Sequence, residues 1–335
     1  MTLTAGRIGV RIAFFATALI IAAACIVGAV GYDRYTKPGP SKEPATLIIE
    51  KGSGVAQIAS QLARAGIVDS ALVFRAGVRV EGSDTRLRAG EFVFPAGISM
   101  RQSAALIASG KTVKRRLTIA EGLTTLQVLT ALSTVSGLDG AVPDKAPNEG
   151  ELLPETYFYD YGETRTEMIG RMKKAMGEAL AEIWATRAPG IAISSPRDAL
   201  VLASLIEKET GVAAERARVS AVFHNRLKKG MRLQTDPTVV YAIAGGVGSL
   251  HRPLTRKDLQ FASPYNTYLN AGLPPGPIAN PGRATLAAAV NPSADKDLYF
   301  VADGKGGHLF ARTLKQHNRN VARWRRLKRK RDKTR

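Results

Sequence analysis

The chain has 335 residues, of which 45% are hydrophobic, and a formal net charge of +20 at pH 7. This composition excludes a disordered chain and is enough for two or three small domains. The single cysteine, Cys25, excludes an intramolecular disulfide, and neither an HExxH nor a CxxC pattern is present to indicate a zinc site. The positive charge favours an anionic partner, but no RNA- or DNA-binding signature accompanies it, so we expect no nucleic acid.

Residues 12–32 carry no charged side chain, and a helix of that length spans about 30 Å, the hydrocarbon thickness of a bilayer. Arg7 and Arg11 precede this segment, which by the positive-inside rule predicts that residues 1–11 are cytoplasmic and that the rest of the chain lies outside. The alternative is a cleaved signal peptide, although the apolar run is longer than such peptides usually have. Residues 33–45 contain three prolines and are predicted to be a stiff linker.

Residues 46–112 are predicted to form a small α+β module, because the order strand, turn, helix occurs twice in them. Residues 47–49 indicate a strand, the apolar positions Val55, Ile58 and Leu62 have helical spacing, and a second helix is expected over residues 70–78. The sequence GEFVF indicates another strand, and Ser99 is the expected N-cap of the helix that follows it.

Residues 113–195 are predicted to be a connecting α+β region. A strand and a helix capped by Thr124 or Thr125 come first, and an amphipathic helix over residues 166–184 comes last. Residues 143–164 between them are interpreted as a loop rich in proline, acidic and aromatic residues. Its aromatic side chains either stack on sugar rings or simply pack against the protein, and the sequence favours neither.

The stretch LASLIEKETG lies in a helix that begins at Ser195 and Pro196 and is expected to end at Thr210. On a helical wheel Glu209 falls in line with the apolar stripe, whereas Glu207 points away and is expected to be a solvated charge. Burial raises the pKa of a carboxyl group, which suits a general acid that works near neutral pH. The alternative is a buried ion pair between Glu209 and one of the arginines that follow it, Arg216, Arg218 or Arg226.

A second helix is expected over residues 213–229, and a short polar run follows it with Gln234, Thr235 and Asp236. Further on, a long turn-rich loop carries Tyr265, Asn266 and Tyr268. Amides and tyrosines around one buried glutamate make a plausible sugar-binding site, and no nucleophile elbow competes with it.

These stretches resemble the YceG-like endolytic murein transglycosylases. The segments LASLIEKETG, ERARVSAVFHNRLKKGMRLQTDPTVVYA, SPYNTYLNAGLPPGPIANPG and LYFVADGKGGHLF carry the resemblance, which extends over residues 46–320. It implies an α+β protein with a LysM-like module at residues 46–112 and a lysozyme-like, mainly helical catalytic domain with inserted strands at residues 196–320. The basic residues 321–335 lie outside the motifs and either bind anionic lipid or wall polymers or remain a solvated tail.

The resemblance implies that Glu209 is the catalytic residue and that no metal or cofactor is needed. The expected reaction is non-hydrolytic cleavage between MurNAc and GlcNAc in nascent peptidoglycan, which leaves a 1,6-anhydroMurNAc end. Peptidoglycan synthases are the expected protein partners, and the bacterial inner membrane, with the catalytic domain in the periplasm, is the expected location. The residues expected to bind the substrate are Thr210, Asn225, Gln234, Thr235, Asp236, Tyr265, Asn266 and Tyr268.

Two other functions are compatible with the sequence. A hydrolytic muramidase would need a second carboxylate across the site, for which Asp236 and Glu215 are the candidates. A non-enzymatic peptidoglycan-binding protein would use the module at residues 46–112 and the basic tail.

Overall fold

The computed structural model describes residues 3–333, with side chains from residue 14 to residue 329. Helices and short strands alternate along this part of the chain, so the fold is mixed α+β, as predicted. The chain divides into two compact units, one of Met1–Arg115 with Phe158–Gly162 and one of Arg116–Tyr157 with Glu163–Arg335. The finer domain boundaries expected from the sequence stay predictions. The predicted cytoplasmic flank, with the side chains of Arg7 and Arg11, lies outside the described side chains.

The first helix, α1 (Leu3–Thr36), contains the apolar segment predicted to cross a membrane. Within it, Phe14–Thr36 is long and apolar enough to span a bilayer, and its most apolar stretch is not buried by any described part of the chain. The helix extends past the predicted end at residue 32. Its last turn is held by the Thr36 hydroxyl, which donates to the Tyr32 carbonyl at 2.9 Å.

The rest of the first unit is a two-stranded antiparallel sheet with helices on one face. Ala45 pairs with Phe94, and Ile49 pairs with Gly90. Alternate residues of the sheet, such as Phe92, face the helices and pack with Leu62 to form a core of this unit's own. The elements are β1 (Ala45–Ile49), α2 (Val55–Arg64), α3 (Ala71–Val80), β2 (Gly90–Phe94) and α4 (Met100–Ser109), all close to the bounds expected from the sequence.

The remaining elements are mostly helical. They are β3 (Arg115–Thr118), α5 (Thr125–Ser133), β4 (Leu138–Asp139), β5 (Thr156–Tyr159), β6 (Glu163–Thr164), α6 (Arg165–Ala185), α7 (Pro196–Glu209), α8 (Arg216–Lys228), α9 (Asp236–Ala244), α10 (Arg283–Val290), β7 (Tyr299–Ala302), β8 (His308–Ala311) and α11 (Leu314–Lys333). The strand pairs are β3 with β5, β4 with β6 in parallel, and β7 with β8 as an antiparallel hairpin.

Helix α7 lies at the centre of the second unit, where α6, α8, α9 and α10 pack around it. It begins as the sequence predicts: the Ser195 hydroxyl accepts from the Asp198 amide at 3.1 Å, and the Asp198 carboxylate accepts from the Ser195 amide at 3.0 Å. Every residue from 199 to 206 is buried, so this helix has no solvent-facing side along that stretch. Its C-terminal end is therefore held in one place by packing from several directions.

Three expectations from the sequence are wrong in detail. Residues 143–164 are not all loop, because β5 and β6 form there, with the side chains of Tyr157 and Tyr159 buried against the protein and Phe158 exposed. The helix expected from residue 213 begins as a 3-10 turn and becomes α-helical at Arg216. Asp236, read as part of a polar run, instead begins α9, where an acidic residue and a following proline are favourable.

Candidate active site

Glu209 is the last residue of α7. The helix ends there because Thr210 adopts an extended conformation, although its amide still donates to the Ile206 carbonyl at 3.1 Å. Carbonyl oxygens at the end of a helix make its surroundings negative, so the charged form of a carboxyl group is disfavoured at this position. The fold thus places Glu209 where it holds a proton more readily than an ordinary glutamate.

The pKa of Glu209 is raised from its ordinary value near 4.5 to about 7. Burial is the largest cause, because protein atoms surround the carboxyl group although part of the residue stays accessible, and the negative charge of Asp236 adds to it. A hydrogen bond from Thr235 and electrostatic interactions with His308 and Arg226 act in the opposite direction. Both the protonated and the ionised form of Glu209 are therefore accessible near neutral pH, as a residue that acts first as an acid and then as a base requires.

Thr235 holds the Glu209 carboxyl group through its hydroxyl, which donates to Oε1. Its own amide donates to the Thr267 hydroxyl at 3.0 Å, and the Thr238 hydroxyl donates to the Thr235 carbonyl at 2.8 Å. The hydroxyls of Thr238 and Thr267 lie 2.9 Å apart. Two buried threonines, Thr238 and Thr267, therefore fix Thr235, the residue that orients the glutamate.

Asp236 and Tyr268, both predicted site residues, form a pair at the same place. The Tyr268 hydroxyl donates to Oδ1 of Asp236 at 2.5 Å. Burial and the charge of Asp236 raise the pKa of Tyr268, and the charge of Glu209 raises it as well. The electrostatic interactions of Glu209 with Asp236, and of Tyr268 with both, indicate that the two carboxyl groups and the phenol are neighbours.

Gln234 adjoins this group with an unusual backbone. Its φ is +50°, a left-handed conformation that is uncommon for residues other than glycine, and its amide donates to the Thr267 carbonyl at 3.2 Å. The side chain is exposed and forms no hydrogen bond with any residue in the described part of the chain. A free amide on a fixed backbone is available to a ligand.

The other predicted substrate-binding residues use their polar groups within the protein. Asn266 is fully buried, and its side-chain amide donates to the Leu259 and Phe261 carbonyls. Asn225 donates to two carbonyls, those of Asp295 and Asp297. Their contact with substrate stays a prediction.

Thr210 and Tyr265 have similar internal roles. The Thr210 hydroxyl accepts from the Val212 amide at 3.0 Å and so shapes the turn after α7. The Tyr265 ring packs against the Tyr241 ring with centroids 5.1 Å apart. For these two residues as well, contact with substrate stays a prediction.

Glu207 is not the solvated charge expected from the helical wheel. Only 6% of its side chain is exposed, its carboxylate accepts from the Gly282 amide at 3.0 Å, and Arg216 lies 4.0 Å away. The wheel assumed that α7 has one apolar face, whereas the helix is covered all round. Arg216 also binds Glu121, at 3.2 Å, so Glu207 belongs to a structural cluster.

None of the three candidate arginines forms an ion pair with Glu209 among the described residues. Arg216 binds Glu121 and Arg218 binds Asp297, while Arg226 donates to backbone carbonyls such as that of Leu298 at 2.7 Å. The carboxyl group of Glu209 thus remains available for chemistry.

Sequence reasoning missed two groups. Thr238 and Thr267 support Thr235, and the spacing of Thr235 and Thr238 on one face of a helix start was the available signal. His308, interpreted only as part of a turn, binds the Glu215 carboxylate through Nδ1 at 2.8 Å and through its amide at 2.9 Å. Among the described side chains, no group of three or more His, Cys, Asp or Glu could hold a metal ion.

The sequence matches a family model described as the YceG-like family over residues 47–323. It is 33% identical over 309 residues to an endolytic murein transglycosylase of Bacillus subtilis (strain 168), covering 83% of this chain and 84% of that protein. It is 29% identical over 328 residues to an endolytic murein transglycosylase of Streptococcus pneumoniae serotype 2 (strain D39), covering 84% of this chain but only 58% of that longer protein.

A crystal structure of a YceG-like protein from Listeria monocytogenes is 32% identical and has a TM-score of 0.49. The match covers 83% of this chain and 99% of that one.

Proposed function

The chain belongs to the YceG-like family, and from that premise we propose that it is an endolytic murein transglycosylase in which Glu209 is the single catalytic carboxyl group. The enzyme is a lyase that acts on peptidoglycan. The observation that carries the assignment of Glu209 is its carboxyl group at the end of α7, which accepts a hydrogen bond from Thr235 and has no ion-pair partner among the described residues. Its raised pKa agrees with this assignment.

Protonated Glu209 first donates its proton to the oxygen that links MurNAc to GlcNAc. The bond between C1 of MurNAc and that oxygen breaks, and positive charge develops on the MurNAc ring. The carboxylate of Glu209 stabilises this charge, and the negative charge of Asp236 nearby contributes electrostatically without taking part in proton transfer. Glu209 next removes the proton of the C6 hydroxyl of the same MurNAc while O6 attacks C1. The products are a 1,6-anhydroMurNAc end and a new GlcNAc end, and Glu209 is protonated again.

Thr235 suits both halves of this cycle because its hydroxyl holds the carboxyl group of Glu209 in one orientation. Gln234 offers an unpaired amide to the sugar, and Tyr268 orients Asp236. Thr210, Asn225, Tyr265 and Asn266 contribute by shaping the surrounding loops or by binding the strand.

A hydrolytic muramidase is the second candidate, with Asp236 or Glu215 as the second carboxylate. Glu215 already binds both Nδ1 and the amide of His308, and Asp236 accepts a hydrogen bond from Tyr268. These contacts favour the single-carboxylate mechanism, in which the nucleophile belongs to the substrate.

The test is the end group of the products. The full chain in detergent would be incubated with uncross-linked glycan strands, and the fragments would be identified by mass spectrometry, beside Glu209→Gln and the matched control Glu207→Gln. We expect internal cleavage with anhydro ends, lighter by one water than reducing ends, for the wild type and for Glu207→Gln but not for Glu209→Gln. Reducing ends would identify a hydrolase, and unchanged strands with bound protein would indicate a non-enzymatic binding protein.

The location proposed with this activity is the bacterial plasma membrane. Helix α1 is a single-pass anchor, and the units that follow it lie in the periplasm, where nascent strands are made. Residues 46–112 form a LysM-like peptidoglycan-binding module, supported by their own compact core. The second unit is a lysozyme-like catalytic domain built around α7, and synthases that extend the strands are its partners.

A further inference from the structure

The last turn of α1 is part of the core of the first unit. Tyr35 is 2% exposed and packs with the apolar residues of that core. Its ring lies against Gly77 of α3, where any Cβ would overlap it, and its hydroxyl donates to Glu81 at 3.1 Å. Arg34 adds an ion pair to Asp69 at 3.1 Å, just before α3. Helix α3 is therefore fixed to the end of α1.

This attachment places α3 at the level where the chain leaves the bilayer. The apolar segment Phe14–Thr36 includes Arg34 and Tyr35, the two residues that contact α3 and its flanks. Arginine and tyrosine at the end of a membrane span are typical of the headgroup region. An element packed on them lies within a turn or two of that region.

The outer face of α3 has the composition of a helix that binds a membrane surface. Five residues of α3 are exposed, and their helical spacing places them in one stripe that contains no acidic residue. They are Leu72, Arg75, Ala76, Arg79 and Val80. Leu72 and Val80 are 74% and 88% exposed, so two large apolar side chains face away from the core residues Phe74 and Val78. Such residues beside arginines are typical of helices that lie in the headgroup layer.

The two arginines on this face are available to a ligand. Neither Arg75 nor Arg79 forms an ion pair with a residue in the described part of the chain. They line a shallow groove of about 300 Å³ together with Leu72 and the acidic residue Asp84. Arginine at a membrane surface is attracted by anionic headgroups, and the attraction falls off within a Debye length.

We propose that this face of α3 binds the anionic lipid headgroups of the same bilayer that α1 crosses. Leu72, Ala76 and Val80 enter the boundary between headgroups and acyl chains, and Arg75 and Arg79 contact lipid phosphates. The inference rests on the proposed role of α1 as a membrane anchor. Because α1 tethers α3 to the membrane, the contact is intramolecular in effect and needs little affinity of its own.

The test uses tryptophan as a depth probe in the full chain, reconstituted in nanodiscs of phosphatidylcholine and phosphatidylglycerol. The native tryptophans, Trp184 and Trp324, are both in the second unit, so the wild type supplies the background. Val80→Trp reports on α3. Val93→Trp is the matched control, because Val93 is 46% exposed on the face of the β1–β2 sheet that points away from the core. Leu19→Trp reports on the anchor itself.

Lipids brominated near the headgroup end of the acyl chain quench tryptophan on contact. We expect the added fluorescence of Val80→Trp to fall by about half in brominated nanodiscs, because the side chain lies at the acyl boundary. We expect little change for Val93→Trp. Reversing both charges, Arg75→Glu with Arg79→Glu, should abolish the quenching of Val80→Trp in anionic nanodiscs.

Two results would overturn the proposal in different ways. If Leu19→Trp is quenched but Val80→Trp is quenched no more than Val93→Trp, the anchor holds and α3 does not touch lipid. If Leu19→Trp is not quenched, α1 is not a span and the proposal fails with the anchor. The cleavage assay on soluble glycan strands is independent of both results, so the enzymatic assignment is tested separately.

Discussion

At Glu209 the burial that suits catalysis also opposes folding. The folded protein raises this pKa from about 4.5 to about 7, so the folded state binds a proton that the unfolded state has already released between those values. Stability is therefore lost as pH rises from 4.5 to 7, and the loss is complete above 7. We expect Glu209→Gln, which cannot ionise, to stabilise the protein by about 1 to 3 kcal/mol at pH 8 and hardly at all at pH 4.5.

Thermal unfolding of the two proteins across this pH range checks the expectation. Glu207→Gln is the matched control, since it removes a buried carboxylate that accepts a backbone hydrogen bond and should destabilise instead. If Glu209→Gln increases the free energy of unfolding by the same amount at pH 4.5 and at pH 8, ionisation of Glu209 is not the cause of the increase.

Thr235 also affects the pKa of Glu209. Its hydroxyl donates to the carboxylate and so lowers the pKa of Glu209, which means that Thr235→Val should raise that pKa further. We expect the loss of activity at high pH to begin at a higher pH in this variant, and kcat to fall about tenfold because a single hydrogen bond to the reacting group is lost. The pH–rate profile is the measurement, and Thr235→Ser, which keeps the hydroxyl, should resemble the wild type. If kcat falls but the pH–rate profile does not shift, Thr235 acts only through packing and does not affect the pKa of Glu209.

At the scale of elements, the loop between α9 and α10 depends on one buried amide. Asn266 donates to the Leu259 and Phe261 carbonyls and accepts from the Tyr268 amide, which ties the predicted site loop to the wall of a cavity of about 740 Å³ lined in part by Phe261. We expect Asn266→Ala to cost about 2 to 4 kcal/mol, because it removes three hydrogen bonds made by a fully buried side chain. Chemical denaturation measures this cost. Asn270→Ala also removes two hydrogen bonds to carbonyls, but at an exposed position where water replaces them, and should cost less than about 1 kcal/mol.

The elements also show what the sequence could predict. The start of α7 follows from the local chemistry of Ser195 and Asp198, so it could be predicted directly from the sequence. The environment of Glu207 could not be predicted, because four other helices cover α7 in the fold and the periodicity of its sequence does not indicate this. Likewise Thr267 reaches Thr235 across 32 residues of chain, a contact that only the fold creates.

Over the whole molecule, two separate hydrophobic cores stabilise different parts of the chain. One core holds the end of α1, and the other surrounds α7 and places Glu209. The net charge of +20 is also unevenly distributed, since ten of the Lys and Arg residues fall in residues 319–335. The described part of that basic segment is helical and packs through α11 against β7 and β8. Because the two cores share no residue, a change in one core should be detectable separately from the other.

Gly77→Ala provides that test. A Cβ at this position would overlap the Tyr35 ring, so we expect about 1 to 3 kcal/mol of destabilisation confined to the first unit. Both tryptophans lie in the second unit, so tryptophan fluorescence should report an unchanged thermal transition while calorimetry reports a component that unfolds at a lower temperature. Gly54→Ala is the control, because, apart from its chain neighbours, no described atom lies within 4 Å of its added Cβ. If Gly77→Ala lowers the fluorescence transition as much as the calorimetric one, the two cores unfold together. The end of α1 would then stabilise the whole chain and not only the first unit.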